Sequence, residues 1–406
     1  MPGVAIFIPK TAKNWRVPVL AITLSALAIY VGTWVGYYLF SRGLDPVPGS
    51  LTQALINWDA KWYMNIATQG YQYIPHADFG QNIIFFPLYP AICAGLGLIL
   101  PVPIPAIGIG LAIFGGVVSI FLFQRLATVW MDAKSAAFAT LTYALYPAAA
   151  FFISAYPTSL MNCLAIATLL ALRQQRHFQT ALWAGIGTAA GPLMVFFAFG
   201  TWLVVLWRLS TARQYPGWIR ASKSLGLGII ACSGLILFMI YQWYQFRSPW
   251  AFVVAHGPYI GHLSAWQKLQ NILELYPFWG GDYTPLIQSL LLQPTVPNPA
   301  RSVYFLMNAL VLLGNLITLG VLWRLRQWSL LIISIPLIGA YLWFQAAAQG
   351  PVSTYRLLYL NLPLFLAAGC LFQSASRRFW ARLLLIVEAA ALILQAAFFI
   401  SGHWAF

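Results

Sequence analysis

Residues 57–90 read NWDAKWYMNIATQGYQYIPHADFGQNIIFFPLYP and stand between long apolar runs. The stretch gathers Asp59, Lys61, His76 and Asp78 with Trp58, Trp62, Tyr71 and further tyrosines. Leu55, Trp58, Trp62 and Ile66 recur every three or four residues, which predicts an amphipathic helix in the membrane interface with Gly70 near its end. On that helix Asp59 and Tyr63 share a face, whereas Asp59 and Lys61 do not. The apolar run that follows, Ile83–Leu100, is interrupted by Pro87 and Pro90 and followed by PVPIP. Whether it crosses a membrane decides on which side every later loop lies.

A membrane is implied by composition. Hydrophobic residues are 61% of the 406, charged residues 7%, and the mean hydropathy is +0.77, too apolar for a soluble surface. The apolar runs are longer than the ~10-residue alternating segments of a β-barrel, so the spans are helical. The net charge of +15 reads as topological signal beside spans, not as a nucleic-acid footprint. The four cysteines (Cys93, Cys163, Cys232, Cys370) are scattered in apolar surroundings and have no metal-ligand spacing. Val17–Phe40, behind Lys10, Lys13 and Arg16, is too long for a signal-peptide core and reads as an uncleaved first span with a cytoplasmic N-terminus.

The positive-inside rule then answers the question about Ile83–Leu100. Take it as re-entrant, and about eleven spans follow, near residues 17–40, 105–124, 136–155, 157–172, 178–191, 192–207, 224–244, 302–322, 328–346, 357–373 and 383–402. Most of the 22 basic residues fall on the cytoplasmic side, leaving Arg42, Lys61, Arg247, Lys268, Arg301 and Arg356 outside. Taken as a full span, it would keep only the first three of that cytoplasmic set inside and send its other 13 members outside. The expected fold is therefore all-α and polytopic, a single membrane domain over 1–406. Interfacial helices and a re-entrant segment lie in a large first extracytoplasmic loop (41–103), and a second large outer loop covers 245–301. Asp45, Asp59, Asp78, Glu274 and Asp282 fall outside, Asp132 inside, and Glu388 within the last span.

Acidic residues do not set topology, so their outward bias points to polar chemistry on the outer face. Asp59 within WDAKWY suits a general base acting on a sugar hydroxyl between aromatic walls. An interfacial helix with an aromatic belt and a solvated aspartate has the same sequence signature. Asp78 with His76 offers a second acid or a divalent-ion ligand pair, but no metal is required and no metal-ligand motif is present. His256 and His262 flank a Gly-Pro turn without a zinc pattern. Arg356 sits where a span meets the outer face, suited either to a lipid-linked phosphate or to snorkelling. No Walker or Rossmann glycine motif is present.

WDAKWYMNIATQGY followed by QNIIFFPLYP resembles the PIG-V-type mannosyltransferase family, its bacterial branch in particular. YPAAAFFISAYPTSL (146–160), YRLLYLNLPLFL (355–366) and the C-terminal FFISGHW look like later blocks of that family. The resemblance implies a GT-C glycosyltransferase. Such an enzyme moves a hexose, mannose in this family, from a polyprenyl-phosphate donor to a lipid- or protein-linked acceptor at the extracytoplasmic face. It implies Asp59 as base, and Gln81, Asn82 and Arg356 as substrate-binding residues. Trp58, Lys61, Trp62, Tyr71, Asp78, His256 and Lys268 complete the expected binding set. The membrane would be the plasma membrane in a bacterium and the endoplasmic reticulum in a eukaryote. Two departures stand out: the family's TESL-like run is here Pro157–Leu160, without its glutamate, and a following arginine is missing from TAAGPLM (188–194). A non-enzymatic reading, a transporter or flippase, predicts mid-membrane ionisable residues and internal repeats, whereas most acids here lie in outer loops and no repeat is evident; a degenerate binder of polyprenyl phosphate is a third.

Overall fold

The computed structural model describes residues 15–40, 50–77, 79–211, 216–256, 263–280, 283–284, 287, 300–347, 352–372 and 377–402. Among these residues the chain is helical, without a strand. In chain order the longer helices are α1 (Arg16–Val35), α2 (Asp59–Gln69), α3 (Leu88–Gly97), α4 (Ile104–Trp130), α5 (Ala133–Leu145), α6 (Thr158–Arg173), α7 (His177–Gly187) and α8 (Pro192–Thr211). They continue with α9 (Gly217–Ala231), α10 (Ser233–Phe246), α11 (Ala265–Leu273), α12 (Ala300–Arg324), α13 (Trp328–Gln345), α14 (Pro363–Leu371) and α15 (Arg378–Ile400).

Among the described residues six helices are long and apolar enough to cross a membrane, namely α1, α4, α8, α12, α13 and α15. The number rises to eight if two bent pairs each count as one span: α9 with α10, bent by 59°, and Thr354–Leu360 with α14, bent by 86°. The eleven apolar runs of the sequence thus do not all become long helices. The run 136–155 is broken at Tyr146–Pro147, where α5 gives way to a 3₁₀ stretch, Pro147–Phe152. A proline ring lacks the donor that would continue the helix. Helix α7 has 11 residues and α3 has 10; at 1.5 Å per residue each reaches about 15 Å, half a hydrocarbon core of ~30 Å.

Lipid explains the outer surface. Leu20, Leu24, Leu27, Tyr30 and Trp34 on α1 are exposed, as are Ile386 and Val387 on α15, a pattern that only an apolar solvent tolerates over such an area. Helix ends carry exposed tryptophans: Trp207, Trp323, Trp328 and Trp380, as at membrane–water interfaces.

The first and last helices meet through glycine. A Cβ on Gly32 would collide with the Ile393 carbonyl and one on Gly36 with Ala397. Small residues four apart allow this close approach where no hydrophobic force drives helices together. Gly36→Val should therefore destabilise the protein by about 1–3 kcal/mol, the usual cost of overpacking, read as a lower thermal midpoint of the detergent-purified chain. An unchanged midpoint would mean that α1 and α15 do not pack closely there.

The bundle has two distinguishable ends. Helix α6 runs from Thr158 to Arg173 and α12 from Ala300 to Arg324, while α15 runs the opposite way, beginning at Arg378. Arg173, Arg208 and Arg324 all lie in the last turns of their helices. The site described next sits at the other end.

Candidate active site

Helix α2 begins later than the apolar spacing predicts. Leu51–Ala54 forms a separate turn, and Trp58 takes φ 60° and ψ −125°, a positive-φ conformation that is costly for a bulky residue. That kink makes Asp59 the first residue of α2, where backbone N–H groups are unpaired and the helix dipole favours a carboxylate. The buried face of α2 is Ala60, Tyr63, Met64 and Ile66. Trp62 lies off it, stacked on Phe85 at 6.0 Å, and Lys61 is exposed.

Asp59 is met by Arg356, 297 residues along the chain: Nη1 of Arg356 donates to Oδ2 of Asp59 at 2.6 Å. Side-chain exposure is 16% for Arg356 and 30% for Asp59, so a hydroxyl reaching the site meets the carboxylate while the guanidinium is largely enclosed. The guanidinium also lies over two rings, Tyr156 at 5.3 Å and Phe151 at 5.7 Å, which favours a cation further. Tyr63, Tyr89 and Phe85 pack edge to face below, and Phe399 closes on Phe151 and Tyr156 from the end of α15. Burial first, and then the charge of Asp59, pushes the hydroxyls of Tyr63 and Tyr156 well above the ordinary tyrosine range. Both phenols stay protonated at any assay pH, and Tyr156 donates to the Asn57 carbonyl at 3.2 Å.

Arg356 is placed by the two spans beside it. Residues 352–354 cross their ends, with Ser353 in the left-handed region at φ 56°. The Ser353 amide donates to the Tyr304 hydroxyl (2.7 Å) and the Thr354 amide to Asn308 Oδ1 (2.6 Å), both acceptors on α12. From α13, the side-chain amide of Gln345 pairs with both backbone groups of Val352, at 2.9 and 3.1 Å, and Tyr341 bonds Thr354. Deeper, Asn361 bridges Ser334 and Asn315 at 2.8 Å each. These buried amides and hydroxyls are mutually satisfied and fix one arrangement.

The other expected site residues divide. Gln81 and Asn82 are buried, and their amides are engaged by the chain itself. Gln81 pairs with both backbone groups of Ile74 (2.6 and 3.0 Å). Asn82 accepts from the Gln72 amide (2.8 Å) and donates to Gly70 O and Asn65 Oδ1 (3.0 Å each). Tyr71 donates to the Phe85 carbonyl at 2.7 Å. Together they pin residues 70–74 under α2, so in this structure they shape the loop. Asn82→Ala should strip hydrogen-exchange protection from Gln72 and cost about 1–3 kcal/mol, the price of orphaned buried polar groups; retained protection would show that the loop holds without it.

His256 hydrogen-bonds the Phe252 carbonyl at 2.6 Å, and burial lowers its pKa, leaving the imidazole neutral. Lys268 is buried over the Trp343 ring at 5.6 Å, while its helix α11 exposes Trp266, Leu269 and Leu273, an apolar outward face suited to an interface. Asp78, Asp282 and His262 lie outside the described residues, and His76 is exposed at φ 58°. Among the described residues no three His, Cys, Asp or Glu side chains gather as metal ligands.

The two departures Pro157–Leu160 and 188–194 are neighbours: a Cβ on Gly191 would meet the Met161 side chain. Thr158, buried at the start of α6, stands where the TESL-like run has its glutamate.

Tyr156, Phe151, Phe399, Tyr304 and Asn308 were not legible as site residues. FFISAY and FFIS were visible as blocks, but nothing in either tells which ring faces a cation.

A family model described as Mannosyltransferase (PIG-V) matches residues 44–284. No curated protein matches the chain. Among solved structures the chain is similar to an oligosaccharyltransferase of Archaeoglobus fulgidus in complex with Zn and sulfate. Identity is 14%, the match covers 96% of this chain and 53% of that one, and the TM-score is 0.49. The Archaeoglobus fulgidus oligosaccharyltransferase in complex with an inhibitory peptide and a dolichol-phosphate gives 10% identity over 97% and 56%, with a TM-score of 0.46. The chain spans about half the length of these structures' chains.

Proposed function

We propose, from the premise that this chain belongs to the mannosyltransferase (PIG-V) family and is a membrane glycosyltransferase, that it moves a mannosyl group from a polyprenyl-phosphate donor to an acceptor at the extracytoplasmic face. The observation that carries this reading is the Asp59–Arg356 pair, a half-open carboxylate held 2.6 Å from an enclosed guanidinium and walled by aromatic rings. The site-bearing end faces outward and the arginine-rich end of α6, α8 and α12 faces the cytoplasm, in line with the positive-inside rule. The ten-residue α3 dips into the outer leaflet and returns.

The step is one displacement. Asp59 takes the proton of the acceptor hydroxyl, whose oxygen forms a bond to the anomeric carbon. The bond from that carbon to the phosphate oxygen breaks, and its electron pair leaves with the polyprenyl phosphate. A single displacement inverts the anomeric centre. Arg356 turns from Asp59 toward the leaving phosphate, whose charge its planar fork matches; Lys268, against the same end of α13, adds a second cation. The aromatic walls stack on sugar C–H faces and exclude water.

The test is transfer from polyprenyl-phosphate [³H]mannose into endogenous lipid and protein acceptors of membranes carrying the full chain. Incorporation that depends on the chain supports the reading. Donor binding without incorporation would favour a degenerate binder, and neither binding nor transfer would favour a transporter.

A further inference from the structure

A cavity of about 830 Å³ opens at the arginine-rich end, between α7, α8 and α9, within the ~300–1,000 Å³ typical of ligand pockets. Its polar wall is Arg208, Lys223 and His177, and its apolar lip is Phe178, Leu227 and Ile230. It is remote from Asp59: the whole of α6, 16 residues and therefore about 24 Å, separates its mouth near Arg173 from Thr158 beside the site. Helix α13, with Ser329 at one end and Gln345 at the other, gives about 27 Å by the same rule.

Three features mark it as built for an anion. Arg208 is held at two points, donating to the Leu172 carbonyl at 2.6 Å and to Ser329 Oγ at 3.3 Å, so its guanidinium is fixed in place without a carboxylate partner among the described residues. The Nδ1 of His177 is buried with no hydrogen-bond partner. Among the described residues no acid lines the cavity. Neighbouring arginines are otherwise engaged: Arg173 lies over Trp130, and Arg220 donates to the Ser210 carbonyl.

We infer that this cavity binds a phosphate-bearing anionic head group, its chain lying against Phe178, Leu227 and Ile230. Basic pockets between spans on the cytoplasmic side hold such head groups through charge-assisted bonds to the phosphate oxygens. The shared chemistry is a phosphate; the source is either an anionic phospholipid of the inner leaflet or a soluble phosphate.

Native mass spectrometry of the full chain in detergent, titrated with phosphatidylglycerol, phosphatidylcholine or inorganic phosphate, separates these. Preferential retention of phosphatidylglycerol, weakened about fivefold in Lys223→Gln, is the expected result and assigns the lipid source. Binding of inorganic phosphate with no preference between the lipids, again weakened in Lys223→Gln, keeps the phosphate site and assigns a soluble source. Lys223 is exposed, so this variant should fold; Arg208→Gln, which also unties α6 from α13, should abolish retention. Equal retention of both lipids with no phosphate binding, or variants indistinguishable from wild type, would overturn the inference.

Discussion

Asp59→Asn should lower mannosyl transfer by about 10²–10⁴-fold, the range that general-base catalysis contributes, and should also cost stability, because the enclosed Arg356 guanidinium loses its counter-charge. The change is isosteric, and the amide oxygen still accepts from Arg356, so the contact that joins α2 to residues 354–357 survives in weakened form. Asparagine cannot take up the acceptor's proton. Near-normal turnover in Asp59→Asn would remove Asp59 from the chemistry and return it to the status of an ion-pair partner.

Arg356→Gln should cost both activity and stability. Removing one cation that stabilises a leaving phosphate is worth roughly 10²–10³ in rate. Truncating one partner of a buried pair costs about 3–5 kcal/mol, and the exposure of Asp59 (30%) puts this pair at the low end. Arg356→Lys keeps the charge but loses the fork, and should fall between. The double variant Asp59→Asn with Arg356→Gln separates the roles. Stability should recover relative to Arg356→Gln alone, because no carboxylate is left unpaired, while transfer stays lost. Recovery of transfer would show that the pair is structural.

Much of this site could be read from the chain, because its chemistry is announced locally. An aspartate between tryptophans, FFPLYP and an arginine at the edge of a span are short signals that need no tertiary knowledge. What pairs them is a contact across 297 residues, and no local spacing encodes that. Gln81 and Asn82 carry a second demand that the motif does not announce: their amides meet the backbone of 70–74, because a buried N–H or C=O needs a partner. Among the described residues the eleven apolar runs do not all become long helices, for a related reason. A hydropathy window measures composition, whereas Pro147 and the Asn361–Pro363 bend act on backbone hydrogen bonds.

The distribution of the site along the chain bears on its biogenesis. Asp59 lies in the first sixth of the sequence, Arg356 and Phe399 in the last, and synthesis runs at ~5–20 residues per second. Roughly 15–60 s therefore separate the appearance of the carboxylate from that of its guanidinium. The nascent protein therefore carries no Asp59–Arg356 pair until its last sixth has been made. On the proposed roles, chains released early, by a stop codon or by proteolysis ahead of Arg356, lack the cation that would stabilise the leaving phosphate, and their transfer should be impaired.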